Sequence, residues 1–180
     1  MSDPNFNIAE YRRALGSFMT GVTVVTTIDD LGNPRGFTAN SFTSGSRNPP
    51  LILVCISKAA GSCPVFTDAD GYAVNILAED QQHSATIFAS QEADRFSCVE
   101  WSIGPAGNPV FSDAASWIDC SLYNRIDAGD HWILIGQTVG FASKAKPLLG
   151  YGRGSYFTAS LERSASKDTE RSTEVFAILE

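Results

Sequence analysis

An antiparallel β-barrel with a few flanking helices is the fold class this sequence predicts, on three observations. Apolar and β-branched runs of strand length outnumber amphipathic helical stretches. Short turns rich in Gly, Asp, Asn and Pro join those runs as hairpins. The regular strand–helix alternation that builds parallel sheets is missing.

The elements follow in order. Residues 7–18 predict an amphipathic helix, with Ile8, Tyr11, Leu15 and Phe18 at spacings of three and four. Asn7 suits the N-cap, Glu10 completes a capping box, and Phe6 can staple onto Tyr11. Gly16 and Gly21 bracket its end, and the β-branched run 22–28 predicts a central strand. Residues 29–34 supply a hairpin turn.

The chain is organised around residues 36–62. A hydroxyl- and amide-rich strand is followed by a break at Pro49-Pro50, the apolar run 51–56 and a small-residue loop with Ser57, Lys58 and Ser62. Residues 62–68 predict a short helix with Pro64 in its first turn, and 72–77 a strand. Asp80 is placed to cap a helix running through Phe88. Residues 89–113 read as irregular, and a loop so long is expected to serve as a lid or subunit contact. Residues 115–125 and 131–143 predict two long strands, with Gly129-Asp130 in the tight turn and His131 just past it. A strand-like segment ends near residue 157; the polar tail that follows closes on an apolar run, 175–179, which could dock on the domain or on a partner.

The 180 residues suit one domain, here 1–161 with a core at about 10–157 and a tail at 162–180. A net charge of −7 argues against a nucleic-acid partner. No apolar run reaches the roughly 20 residues needed to span a bilayer, and no leader is visible, so a cytoplasmic protein is expected, with no membrane association. Cys55, Cys63, Cys98 and Cys120 lack CxxC spacing and read as reduced core thiols. His83 and His131 are the two histidines, in no metal-ligand pattern, so no metal site is expected.

The glycines at 150–154 lead into a strand-like segment, which excludes a Rossmann fingerprint, and there is no P-loop or nucleophile elbow. Side-chain catalysis alone has little to work with. If residues 38–41 form a strand, Thr38 and Asn40 share one face and Ser41 takes the other with Ala39. Such a strand can orient a heteroaromatic ring, and the 57–62 loop can hold a phosphate. An ordinary polar strand and linker would read the same way.

Eight segments stand in order along the chain: Gly21-Val22-Thr23-Val24-Val25-Thr26-Thr27, Gly36-Phe37-Thr38-Ala39-Asn40-Ser41-Phe42, Pro49-Pro50-Leu51, Asn75-Ile76-Leu77, Phe88-Ala89, Asp94-Arg95-Phe96, Gly129-Asp130-His131 and Arg153-Gly154-Ser155-Tyr156. This ordered set resembles the short-chain flavin reductases. The resemblance implies a Greek-key split β-barrel binding FMN or FAD, usually homodimeric. It implies NADH or NADPH as electron donor and delivery of reduced flavin to a separate monooxygenase. By the same resemblance Thr38, Asn40 and Ser41 contact the flavin ring and ribityl chain, and Cys55 and Ile56 lie along it. Ser57, Lys58 and Ser62 grip the phosphate; Ala89, Ser90 and Arg95 lie near the flavin or a neighbouring subunit. His131 stands where nicotinamide docks, as the catalytic candidate, and Arg153 and Tyr156 belong to the nicotinamide side. Arg95 could instead pair with Asp94 or Glu92. Phe37 after Gly36, and Ala59-Ala60-Gly61 before Ser62, depart from the family pattern and leave the choice of flavin open. A flavin carrier or sensor on the same barrel is the alternative.

Overall fold

The computed structural model describes residues 6–91 and 94–159. Helix α1 spans Ile8–Leu15, and Asn7 Oδ1 caps it by accepting from the backbone N–H of Ala9 and Glu10. Phe6 stacks on Tyr11 at a centroid distance of 5.2 Å, completing the predicted staple. Glu10 turns towards Arg13, 3.6 Å away. The helix stops before Phe18 because Ser17 and Phe18 donate three residues back, to Ala14 and Leu15, in a tightened last turn. Its apolar face stays open: Ile8, Tyr11 and Leu15 are 59%, 48% and 57% exposed.

The strands are β1 (Thr20–Gly21), β2 (Thr23–Ile28), β3 (Pro34–Ala39), β4 (Thr43–Arg47), β5 (Pro50–Ser57), β6 (Gly71–Ile76), β7 (Trp101–Ile103), β8 (Pro109–Phe111), β9 (Ser116–Ala128), β10 (His131–Ser143), β11 (Leu148–Gly152) and β12 (Ser155–Ala159). Helix α2 covers Cys63–Asp68 and α3 Gln82–Ala89. Seven strands form one antiparallel sheet in the order β3-β2-β6-β9-β10-β5-β4, and β1, β11 and β12 form a smaller one. This is the predicted antiparallel split barrel. The Ser41 hydroxyl ties its two sides, accepting from the Cys55 N–H at 2.9 Å and donating to the Cys55 carbonyl at 3.2 Å. On the far side β4 pairs with β5 through a register shift between Ser44 and Ser46.

Strand β2 is buried on both faces and divides the interior. On the barrel side Val25 packs with Val54, Ile56, Phe66, Tyr72, Val74 and Leu134. On the other side Val22 and Val24 meet Leu77, Phe88, Phe111 and Leu149. The threonines between them are satisfied by backbone carbonyls, Thr23 by Ala39 and Thr27 by Gly71, each at 2.8 Å.

Three expectations need correction. The polar strand ends at Ala39, since Ser41 leaves the ladder with β2 to bond β5. Helix α3 begins at Gln82; Asp80 lies in a 3-10 turn (Glu79–Gln81), where Gln81 Oε1 accepts from the Ala78 N–H at 2.9 Å. The stretch 89–113 holds a second 3-10 turn (Phe96–Cys98) and the β7–β8 hairpin. A buried carboxylate far along the chain organises that hairpin: Asp119 accepts from the Ala106 N–H at 2.6 Å and from Asn108 Nδ2 at 2.8 Å. Asn108 Oδ1 in turn lies 3.3 Å from the Thr27 hydroxyl, whose proton it shares with the Gly71 carbonyl. Burial pushes the Asp119 carboxyl above its ordinary value. The tail 162–180 and Glu92 lie outside the described residues.

Candidate functional site

A cavity of about 990 Å3 opens along β3, between the 57–62 loop with α2 on one flank and the end of α3 with the segment after it on the other. It gathers eleven of the fourteen site residues expected from the sequence. Its described lining carries Arg35, Arg95 and His131 and no Asp or Glu, in a chain whose net charge is −7. The Arg35 guanidinium is paired with Asp29 Oδ2 at 2.8 Å, which offsets part of that positive charge. A second hollow of about 380 Å3, lined by Asn33, Asp94 and four residues shared with the first, adjoins the arginine end.

The residues differ in how free they are to meet a ligand. Thr38 donates its hydroxyl to the Ala85 carbonyl at 2.6 Å, joining β3 to α3. Ser41 is held by Cys55, as above. Asn40, between them, is exposed in the bend after β3. Strand alternation sends Ile56 into the barrel core and Cys55 to the outer, cavity side. Burial raises the Cys55 thiol above its ordinary value, so it stays protonated near neutrality. Ser57 pairs with His131 in the β5–β10 ladder. Ser62 precedes α2 without making a side-chain cap bond, so its hydroxyl is open to a ligand.

Ala89 and Ser90 end α3, the Ser90 hydroxyl donating to the Ile87 carbonyl at 2.8 Å. Arg95 Nη1 donates to the Gly36 carbonyl at 2.9 Å and braces the cavity floor. The left-handed Gly129, at φ 68°, turns β9 into β10 and sets His131 beside the cavity, 43% exposed on its side chain. Its Nδ1 lies 2.7 Å from Asp130 Oδ1. That hydrogen bond holds the Asp130 carboxyl below its ordinary value; an ionised carboxylate only accepts, so Nδ1 carries the proton and Nε2 is left for a ligand.

Lys58, Arg153 and Tyr156 do not line the cavity. The Lys58 ammonium is engaged by the β9–β10 turn, at 2.6 Å from Asp127 Oδ1 and 2.8 Å from the Gly129 carbonyl. Arg153 sits in the β11–β12 turn at φ 50°, its N–H bonded to the Gly16 carbonyl, and Tyr156 packs on Tyr151. Sequence reasoning missed Arg35, Phe37, Val65, Phe88, Gln91 and Phe96 in the lining. Gly36 was the available signal: a Cβ there would meet the Phe88 ring at 2.8 Å, so only glycine lets α3 close on β3.

The family model for the flavin reductase like domain matches residues 15–160. The chain belongs to this family. A probable flavin reductase of Rhizobium meliloti is 45% identical to this flavin reductase-like chain over 176 residues, 97% of the chain and 57% of that protein. The reductase component of a flavin-dependent trigonelline monooxygenase from Acinetobacter baylyi is 50% identical over 151 residues, 84% of the chain and 49% of that protein. The chain thus spans about half the length of these curated relatives. The solved NADH:FAD oxidoreductase of Streptomyces globisporus, in complex with NAD and FAD fragments, aligns with a TM-score of 0.82 at 33% identity, covering 91% of this chain and 98% of that chain.

The cavity of this flavin reductase-like chain fits a flavin on its own terms. It joins an apolar wall of Phe37, Val65 and Phe88 to two guanidinium groups and an open serine hydroxyl. Among the described residues no helix is long and apolar enough to cross a membrane, and no cluster of three His, Cys, Asp or Glu side chains could hold a metal.

Proposed function

We propose that the chain is a cytoplasmic NAD(P)H:flavin oxidoreductase that reduces FMN or FAD and supplies it to a separate monooxygenase. The observation that carries this is the cavity that gathers eleven expected site residues, with no Asp or Glu among its described lining and with His131 held at its side by Asp130. A bound flavin supplies the hydride-accepting ring, and a nicotinamide dinucleotide the hydride. The chain's share is position and charge. Asn40 and the backbone of β3 orient the ring, and the 57–62 loop with Ser62 receives phosphate. Arg35, paired with Asp29, and Arg95 form the polar end of the cavity, and the adjoining hollow leaves room for the longer end of a dinucleotide. His131 presents Nε2 where nicotinamide arrives. Cys55, protonated, packs beside the ring and takes no electrons.

The test is nicotinamide oxidation by the purified chain with free FMN, FAD or riboflavin, followed by the loss of reduced-nicotinamide absorbance. Turnover is expected, and the preferred pair identifies both substrates. Flavin binding without oxidation would replace the reductase reading with a carrier or sensor. Ser62→Ala is expected to raise the flavin dissociation constant about fivefold, the loss of one hydrogen bond to a charged group, as read by flavin fluorescence.

The homodimer belongs to the same proposal. Ile8, Tyr11, Leu15, Phe18 and Met19 are all exposed around α1, and a second copy is the occupant that covers them. Sedimentation should report a dimer for the native chain and a monomer for Leu15→Asp with Phe18→Asp; a dimer in both would move the interface elsewhere.

A further inference from the structure

We propose that Lys58 is a positioning residue that latches the His131 turn to the cavity wall, and that it binds no phosphate. The proposal rests on the reductase reading above. Ser57 and Ala59 line the cavity while Lys58 between them does not, so its side chain leaves the cavity from the middle of a wall segment. An ammonium has three N–H donors. Asp127 Oδ1 takes one at 2.6 Å and the Gly129 carbonyl another at 2.8 Å, while the ammonium stands 5.1 Å from the centroid of the Trp132 ring. The backbone joins in, with the Lys58 N–H donating to the Asp130 carbonyl at 2.9 Å.

These contacts reach Asp127, Gly129, Asp130 and Trp132, which surround His131 in sequence. The ladder pair Ser57–His131 completes the clamp. The loop placed to touch the flavin and the turn that carries His131 are therefore one mechanical unit. Ser57 and Ala59 on the cavity wall and His131 at its side are thereby held in one fixed relation by the chain's own contacts. The Asp130 carboxyl is held down first by its hydrogen bond to His131 and, to a smaller extent, by the Lys58 cation.

The test compares Lys58→Ala, Lys58→Arg, Asp127→Asn and the double variant Lys58→Ala with Asp127→Asn in the 180-residue chain. Flavin dissociation constants, the KM for NADH or NADPH and amide hydrogen exchange of residues 128–131 are measured. For Lys58→Ala the flavin constant should stay within about twofold, while the nicotinamide KM rises about tenfold, the scale of one strong coupled contact. Exchange at 128–131 should quicken about tenfold with 72–76 unchanged. Asp127→Asn should shift KM and exchange in the same direction, the double variant should be no worse than Lys58→Ala, and Lys58→Arg should restore most of the loss. A flavin constant raised about tenfold with exchange unchanged would make Lys58 a phosphate ligand and overturn the proposal. Should Lys58→Ala fail to fold, Asp127→Asn and Lys58→Arg decide it. If the native chain oxidises no nicotinamide, the reductase reading fails, and the exchange and flavin-binding arms still decide the latch.

Discussion

Replacing His131 with alanine should slow nicotinamide-dependent flavin reduction about 30-fold in kcat/KM, with the flavin dissociation constant moving less than about threefold. The asymmetry follows from where the residue stands. His131 begins β10 beside the rim of the cavity, its Nδ1 proton held by Asp130, and the expected flavin contacts belong to β3, the 57–62 loop and Arg95. A loss of about 2 kcal/mol in transition-state stabilisation is what one oriented polar contact supplies in a partly desolvated site. Asp130→Asn should fall between the native chain and His131→Ala, because an amide can present its carbonyl to Nδ1 without the charge. Stopped-flow reduction of a preformed flavin complex separates the two effects. Equal losses of binding and reduction would remove His131 from the nicotinamide side.

Asp119→Ala should lower the melting temperature by about 5–10 °C, from a loss of about 2–3 kcal/mol. The variant leaves the Ala106 N–H and the Asn108 amide facing a void, with the Thr27 hydroxyl bonded to an amide that is no longer fixed. Removing the buried charge returns part of that cost and so limits the loss. The pH dependence has a definite sign. Burial holds the folded carboxyl above its ordinary value of 3.8, so the folded chain keeps this proton longer than the unfolded chain. The Asp119 contribution to stability therefore falls as pH rises from 3.8 through the folded value, and is flat above it. Asp119→Ala should erase that component from a series of melts between acid and neutral pH; an unchanged profile would show that other carboxylates carry it. Since Phe111 of the same hairpin packs on Phe88 and Phe96, the variant should also loosen the α3 side of the cavity.

How far the sequence could be read depended on the range of the interactions involved. The N-cap at Asn7, the Phe6–Tyr11 staple, the turn at Asp29 and the hairpin at Gly129 are set by residues a few positions apart, and each stands where local chemistry puts it. Ser41 broke the predicted strand through a partner 14 residues away, and Asp119 ordered a segment that looked irregular from 13 residues beyond it. Local periodicity carries no trace of such partners. The site divides the same way. Thr38, Asn40, Ser57 and Ser62 follow the chain along one wall, whereas Arg35 and Phe88 reach it only through the packing of β3 against α3. Lys58 was legible as a cation beside the loop. Its direction was not, because Asp127 and Gly129 stand 69 and 71 residues further on.

Strand β4 bears on how the chain behaves at high concentration. It ends the large sheet, so among the described residues its outer rim presents ladder groups that no strand covers. An uncovered rim of this kind is where one molecule can recruit another into a growing fibril. Thr43, Ser44, Ser46 and Arg47 put hydroxyls and a cation along it, and the shift at Gly45 spoils the straight template that a second strand would need. Replacing Ser44 and Ser46 with valine would leave the barrel interior untouched and make the protein stick to itself.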